Sequence, residues 1–181
     1  MVPPLSIPIS VLLAAVVLAA AWTDAGSRSI PNWLTAGGIS AGFAVNVATA
    51  GSAGVKSALA GFGIAVGVYA LFYIVRAVGG GDLKLMAAIG AISGPVHWFS
   101  IFLGSALLGG VMAVCVVVWS GRVGRTLRNV GLIVADALRF RAPWKRSDEV
   151  DVRSGKGAAL PHALAIAGAT LLYLVATWVK T

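Results

Sequence analysis

The chain has 181 residues, 59% of them apolar and only 11% charged, against roughly 25% charged in a water-soluble domain. That composition excludes a soluble globular enzyme and fits one bundle of membrane helices with no room for a second folded domain. The net charge of +8 does not point to nucleic acid, because the basic residues cluster beside apolar runs, where anionic headgroups and the positive-inside bias account for them. The single cysteine, Cys115, lies inside an apolar run, which excludes an internal disulfide and argues against a cysteine-rich zinc site.

A helix needs roughly 20 apolar residues to cross the hydrocarbon layer. On that basis spans fall at about 5–23, 32–50, 55–78, 96–119 and 159–179. A shorter helix, about 83–94, lies between the triple glycine and Ser93-Gly94-Pro95. The predicted fold class is therefore all-α: a polytopic membrane helix bundle of about six transmembrane helices, the fourth short, plus a cytoplasmic amphipathic helix. The first span is no cleaved signal peptide, since "MVPPLSIPIS" holds no Lys or Arg and a signal peptide wants a basic start. It is read as a permanent helix with its N-terminus outside.

Charge placement tests that orientation. With an outside N-terminus, the segments after spans one, three and five are cytoplasmic, and they hold 12 of the 14 basic residues. Only Lys56 and Lys180 fall outside, a strong positive-inside bias. The long connection 120–158 carries most of these cations together with Asp136, Asp148, Glu149 and Asp151. Within it, residues 122–140 read as an amphipathic helix. Val123, Leu127, Val130, Val134, Ala137 and Leu138 form one face, Arg122, Arg125, Arg128 and Arg139 the other, and Leu132 breaks the pattern. Such a helix rests in the headgroup layer. The rest, "APWKRSDEVDVRSGKG", is a polar loop without a phosphate-binding, metal-ligand or nucleotide signature.

Two acids remain, Asp24 and Asp82, and both come out at the cytoplasmic ends of apolar spans. Ionisable groups near a membrane interior are functional candidates. Each also has a plain structural reading: Asp82 as the N-cap of the short helix, and Asp24 as an interfacial partner of Arg28. Yet Asp24 meets the negative end of its helix just before Gly26, a plausible stop, where stability prefers a cation. The glycines at 79–81 also exceed what an N-cap requires. They permit unusual backbone angles and let another backbone come close. If the bundle brings the two carboxyls together, they share a proton. The charged one can then take a proton from water while the protonated one hydrogen-bonds a scissile carbonyl, the arrangement of aspartic proteases. No metal and no cofactor is expected. His97, on the outside, and His162, at the start of the last span, are read as structural.

Gly79-Gly80-Gly81-Asp82 fits a GxGD motif, and with Leu83-Lys84 it resembles the GxGDxK element of the type IV prepilin peptidases. Asp24 followed by "SRSIPNWLT" resembles that family's first aspartate with its R-x-IPN segment (Arg28, Ile30, Pro31, Asn32), and "LPHALAIAGA" resembles its last-helix signature, with His162 as a departure. The resemblance covers essentially the whole chain as a single integral-membrane peptidase domain, 1–181. It implies a membrane aspartic endopeptidase that removes the leader of prepilins and pseudopilins on the cytoplasmic face of the inner membrane. Asp24 and Asp82 would be the catalytic dyad, Gly79 and Gly81 the motif glycines, and Gly80 the variable position. Lys84 would neutralise lipid or substrate charge or cap the cytoplasmic edge. Larger members carry two Cys-x-x-Cys pairs linked to N-methylation, and this chain has none, so peptidase without methyltransferase activity is expected. The compact build resembles the short enzymes of Tad/Flp pilus systems and the archaeal preflagellin peptidases.

Three rivals stand beside this reading. Presenilin-like GxGD proteases pair the motif with Tyr-Asp, whereas Trp22-Thr23 precede Asp24 here. A small transporter or channel subunit would use the aspartates to bind a cation or relay protons. A catalytically silent pilus-assembly scaffold is the third. The sequence fixes neither the prepilin cut nor the oligomeric state.

Overall fold

A computed structural model of the protein describes residues 4–75, 77–121, 123, 124, 126, 128 and 162–179. The described residues form helices and no strand: α1 (Ile7–Ser27), α2 (Asn32–Ile74), α3 (Gly80–Trp119) and α4 (His162–Val179). All four are long and apolar enough to cross a membrane. The described residues divide into two units, those within 1–109 and 161–181 and those within 110–160.

Four helices stand where about six separate ones were expected. The reason is that α2 and α3 each change direction at one glycine without a loop. In α2 the backbone leaves helical space at Gly51 (φ 54°, ψ −132°), a conformation that a side chain would strain. The arms 32–50 and 52–74 then lie against each other: Gly54 comes up to the carbonyl of Asn46, and the rings of Phe43 and Phe62 are 6.4 Å apart. In α3 the break is at Gly94 (φ 74°, ψ 175°), followed by Pro95. Phe102 returns to stand 6.0 Å from Tyr69, ring to ring.

A break inside a membrane exposes carbonyls that no water satisfies. Proline at 95 has no N–H to give to the carbonyl of Ala91, and the glycine turn removes the partner of Ile92. Asn46 supplies the replacement. Its side-chain amide donates to the carbonyls of Ala91 (3.2 Å), Ile92 (3.0 Å) and Gly42 (2.9 Å). One buried amide thus closes the end of one helical arm from another.

The arm 80–93 is the central strut. Every residue from Leu85 to Gly94 is buried, as befits a helix that is apolar on all sides. Its neighbours reach it through small residues. Gly61 and Gly90 face each other so closely that a β-carbon on either would collide with the other's backbone, and one on Gly42 would lie 2.8 Å from Ile92. Close backbone approach of this kind is how membrane helices pack without a hydrophobic driving force between them. Around the strut, α1 packs against α2 and α4, burying Leu13, Val16, Val17 and Ala20. His97 Nδ1 and the Tyr173 hydroxyl are 2.6 Å apart, which ties α3 to α4.

In the second unit α3 runs out to Trp119 with Val111, Val114, Val118 and Cys115 exposed, and the chain turns at Gly121 (φ 65°). Of the amphipathic helix expected over 122–140, residues 123, 124, 126 and 128 are described and helical. The rest of it lies outside the described residues, as do Asp136, Asp148, Glu149 and Asp151.

Candidate active site

Asp24 stands in the last turn of α1. The helix does not stop at Gly26 as expected but runs to Ser27, whose hydroxyl donates to the carbonyl of Thr23 (2.8 Å). The stop is made by Arg28 in the left-handed region (φ 51°, ψ 33°), with its N–H donating to the carbonyl of Asp24 (2.8 Å). A left-handed residue just past the helix end is a common cap, although glycine is its usual occupant. Asp24 and Arg28 are thus joined through backbone, and no ion pair links their side chains among the described residues. The connection then buries Ile30, and Pro31 in extended conformation starts α2.

Asp82 is not the N-cap of its helix. Gly79 takes that place, since its carbonyl accepts the first helical bond, from the N–H of Leu83 (3.2 Å). Asp82 is the third residue of α3, and its Oδ2 accepts the N–H of Gly79 from 3.4 Å. This is the backward half of a capping box, and it puts a carboxylate at the favourable end of the helix dipole. The glycines behave differently from expectation. None of Gly79, Gly80 and Gly81 has positive φ, so the turn needs no glycine for its backbone angles. A β-carbon would lie 3.5 Å from Asp82 at Gly79, 3.7 Å from Tyr73 at Gly80 and 3.6 Å from Ile30 at Gly81, which are ordinary contacts.

The two helix ends open into one cavity of about 420 Å³. Asp24, Arg28, Ser29, Ile30 and Asn32 line it from the α1–α2 connection, and Gly79, Gly80, Gly81, Asp82 and Lys84 from the start of α3. Both aspartates are half-buried and Lys84 is exposed. The Lys84 ammonium donates to Asn32 Oδ1 at 2.8 Å, so this lysine has a protein partner. Every site residue anticipated from the sequence (Asp24, Gly79, Gly80, Gly81, Asp82, Lys84) therefore borders the same space.

Two further groups stand close enough to Asp82 to interact with it electrostatically. His162, half-buried at the start of α4, does so together with Asp24, and its ring rests over Gly109. Tyr69, 3% exposed on α2, does so as well, edge-on to Phe72 and Phe102. Each of the four helices thus brings at least one titratable residue to the neighbourhood of Asp82. Reading the sequence passed over Tyr69 and took His162 as structural. Tyr69 lies ten residues before the glycines, in an apolar run, and only an antiparallel pairing of that arm with the strut would have pointed to it.

Chemically, the site offers two carboxyls from different helices, a stretch of backbone without side chains, and two cations at the rim. Among the described residues no group of three or more His, Cys, Asp or Glu is placed to hold a metal ion. The model of the type IV leader peptidase family matches residues 11–114, a stretch that includes both aspartates and the glycine run. No curated protein and no solved structure matches the chain.

Proposed function

The chain belongs to the type IV leader peptidase family, and from that premise we propose that it is a membrane aspartic endopeptidase with Asp24 and Asp82 as its dyad. The observation that carries this reading is the shared cavity: two half-buried carboxyls, 58 residues apart in sequence, border one space together with bare glycine backbone. Two carboxyls in one site favour a state with a single shared proton. The charged one takes a proton from a water molecule as the water oxygen bonds to the scissile carbonyl carbon. The protonated one gives its proton to the carbonyl oxygen. Collapse of the tetrahedral centre breaks the C–N bond, with a proton delivered to the departing amine.

The substrate class is a prepilin-like protein with a short basic leader ahead of an apolar helix. The positive-inside bias supports a site at the cytoplasmic face of the inner membrane, where such a leader junction would lie. A glycine at the junction unwinds readily, and the glycine run 79–81 leaves room for an extended backbone beside Asp82. No Cys-x-x-Cys pair occurs in the sequence, so the reading includes leader removal without N-methylation.

Co-expression with candidate prepilins, followed by mass measurement of the processed chain, tests the proposal. Wild-type protein should remove the leader, and Asp24→Asn and Asp82→Asn should each leave it attached. Intact cleavage in both variants would sink the dyad and return the aspartates to cation binding or proton relay.

A further inference from the structure

The cavity is built from two chain segments that are far apart in sequence, and two contacts join them. Ile30 is buried with its side chain 3.6 Å from where a β-carbon of Gly81 would be. Asn32 Oδ1 accepts the Lys84 ammonium at 2.8 Å. Asn32 is the first residue of α2, just after the N-cap Pro31, and the hydrogen bond its side chain makes is the one to Lys84. An asparagine at a helix start ordinarily spends its amide on local backbone. Here it is turned across to α3 instead.

We propose that Asn32 is a positioning residue: by accepting the Lys84 hydrogen bond it ties the start of α3 to the α1–α2 connection and so sets the approach of Asp82 to Asp24. The proposal rests on the reading of those aspartates as a dyad. Both partners are exposed, so the bond contributes little to the stability of the bundle. Its value is directional. Lys84 is two residues from Asp82 on the first turns of α3, and Asn32 is eight residues from Asp24 across a connection stiffened by Pro31. Fixing one to the other limits how far the first turn of α3 can swing from the end of α1, and catalytic rates are sensitive to displacements of about 1 Å. On this account Ile30 and Asn32 form a cradle for the glycine run, Ile30 by apolar contact and Asn32 by a polar latch.

The test uses the whole protein in lipid nanodiscs and a peptide carrying a basic leader, a glycine and an apolar helix. Asn32→Leu and Lys84→Met should each lower kcat about tenfold with KM held within about twofold, and the double variant should be no slower than either single one. Lys84→Arg, which keeps a donor, should recover most of the loss. Independently of any substrate, amide exchange across residues 79–83 should quicken about tenfold in Asn32→Leu, with the exchange of 85–93 unchanged. Losses that multiply in the double variant, a change confined to KM, or unaltered exchange at 79–83 would each overturn the latch. A wild-type protein that fails to cut the peptide would defeat the peptidase reading instead, and the exchange result would still decide whether the latch exists.

Discussion

Glycine is used in two opposed ways in this molecule. At Gly61 and Gly90 two helices come together with nothing between their backbones, and a β-carbon on Gly90 would lie 2.8 Å from the carbonyl carbon of Gly61 and 2.9 Å from Ala65. At Gly79, Gly80 and Gly81 a β-carbon would meet no atom closer than 3.5 Å. In the first region the missing side chain is a condition of the fold. In the second the fold places no such demand, and the bare backbone lines the cavity. The same residue type therefore answers a packing demand in one place and none in the other, and only the surrounding atoms distinguish them.

The comparison can be broken by substitution. Gly90→Val should have the largest effect. Its branched side chain must push the strut away from α2, and the overpacking cost of about 1–3 kcal/mol is a lower bound where backbone is the obstacle. The expected outcome is little or no folded protein by size-exclusion chromatography in mild detergent. Next come Asp24→Asn and Asp82→Asn, which should lower leader cleavage by about 10²–10⁴-fold while the thermal transition stays in place. Asn46→Leu follows. It leaves the carbonyls of Ala91 and Ile92 without their donor and should cost about 1–3 kcal/mol, read as a lower melting temperature with the cavity residues untouched.

Gly81→Val belongs to the other side of the comparison: the protein should fold and insert, and processing should fall by about tenfold or more as the side chain obstructs the approach to Asp82. Full activity in that variant would show that the glycine run is not an access strip. Gly80→Ala should have the smallest effect. Alanine is the better helix former by about 1 kcal/mol, so a slight rise in melting temperature with a modest loss of cleavage is expected.

Apolar runs and charge placement made the membrane character and the all-helical fold legible, because hydrocarbon admits few other solutions. That Asp24 and Asp82 are candidates was legible for a related reason, since an acid is conspicuous in a chain with only six of them, and the structure puts both on one cavity. The Ser93-Gly94-Pro95 punctuation was readable too, through proline's missing N–H. The role of Asn46 was not, because its partners are carbonyls 45 and 46 residues away. Tyr69 and His162 were hidden likewise: their proximity to Asp82 depends on which arms pair, a tertiary fact that a periodic apolar pattern does not carry. The glycines at 79–81 were misread in one respect. A run of three suggested special backbone angles, and the backbone there is ordinary.

The reversal at Gly51 bears on how the chain enters a bilayer. With a single non-helical residue between them, the arms 32–50 and 52–74 have no loop that would let one insert and wait for the other. They meet within a few residues of the turn, where Gly54 comes up against Asn46, while residues 47–53 at the turn itself are exposed. The contacts between the two arms are therefore local in sequence, the kind that form quickly, so α2 is expected to pair as a hairpin ahead of contacts that span more of the chain.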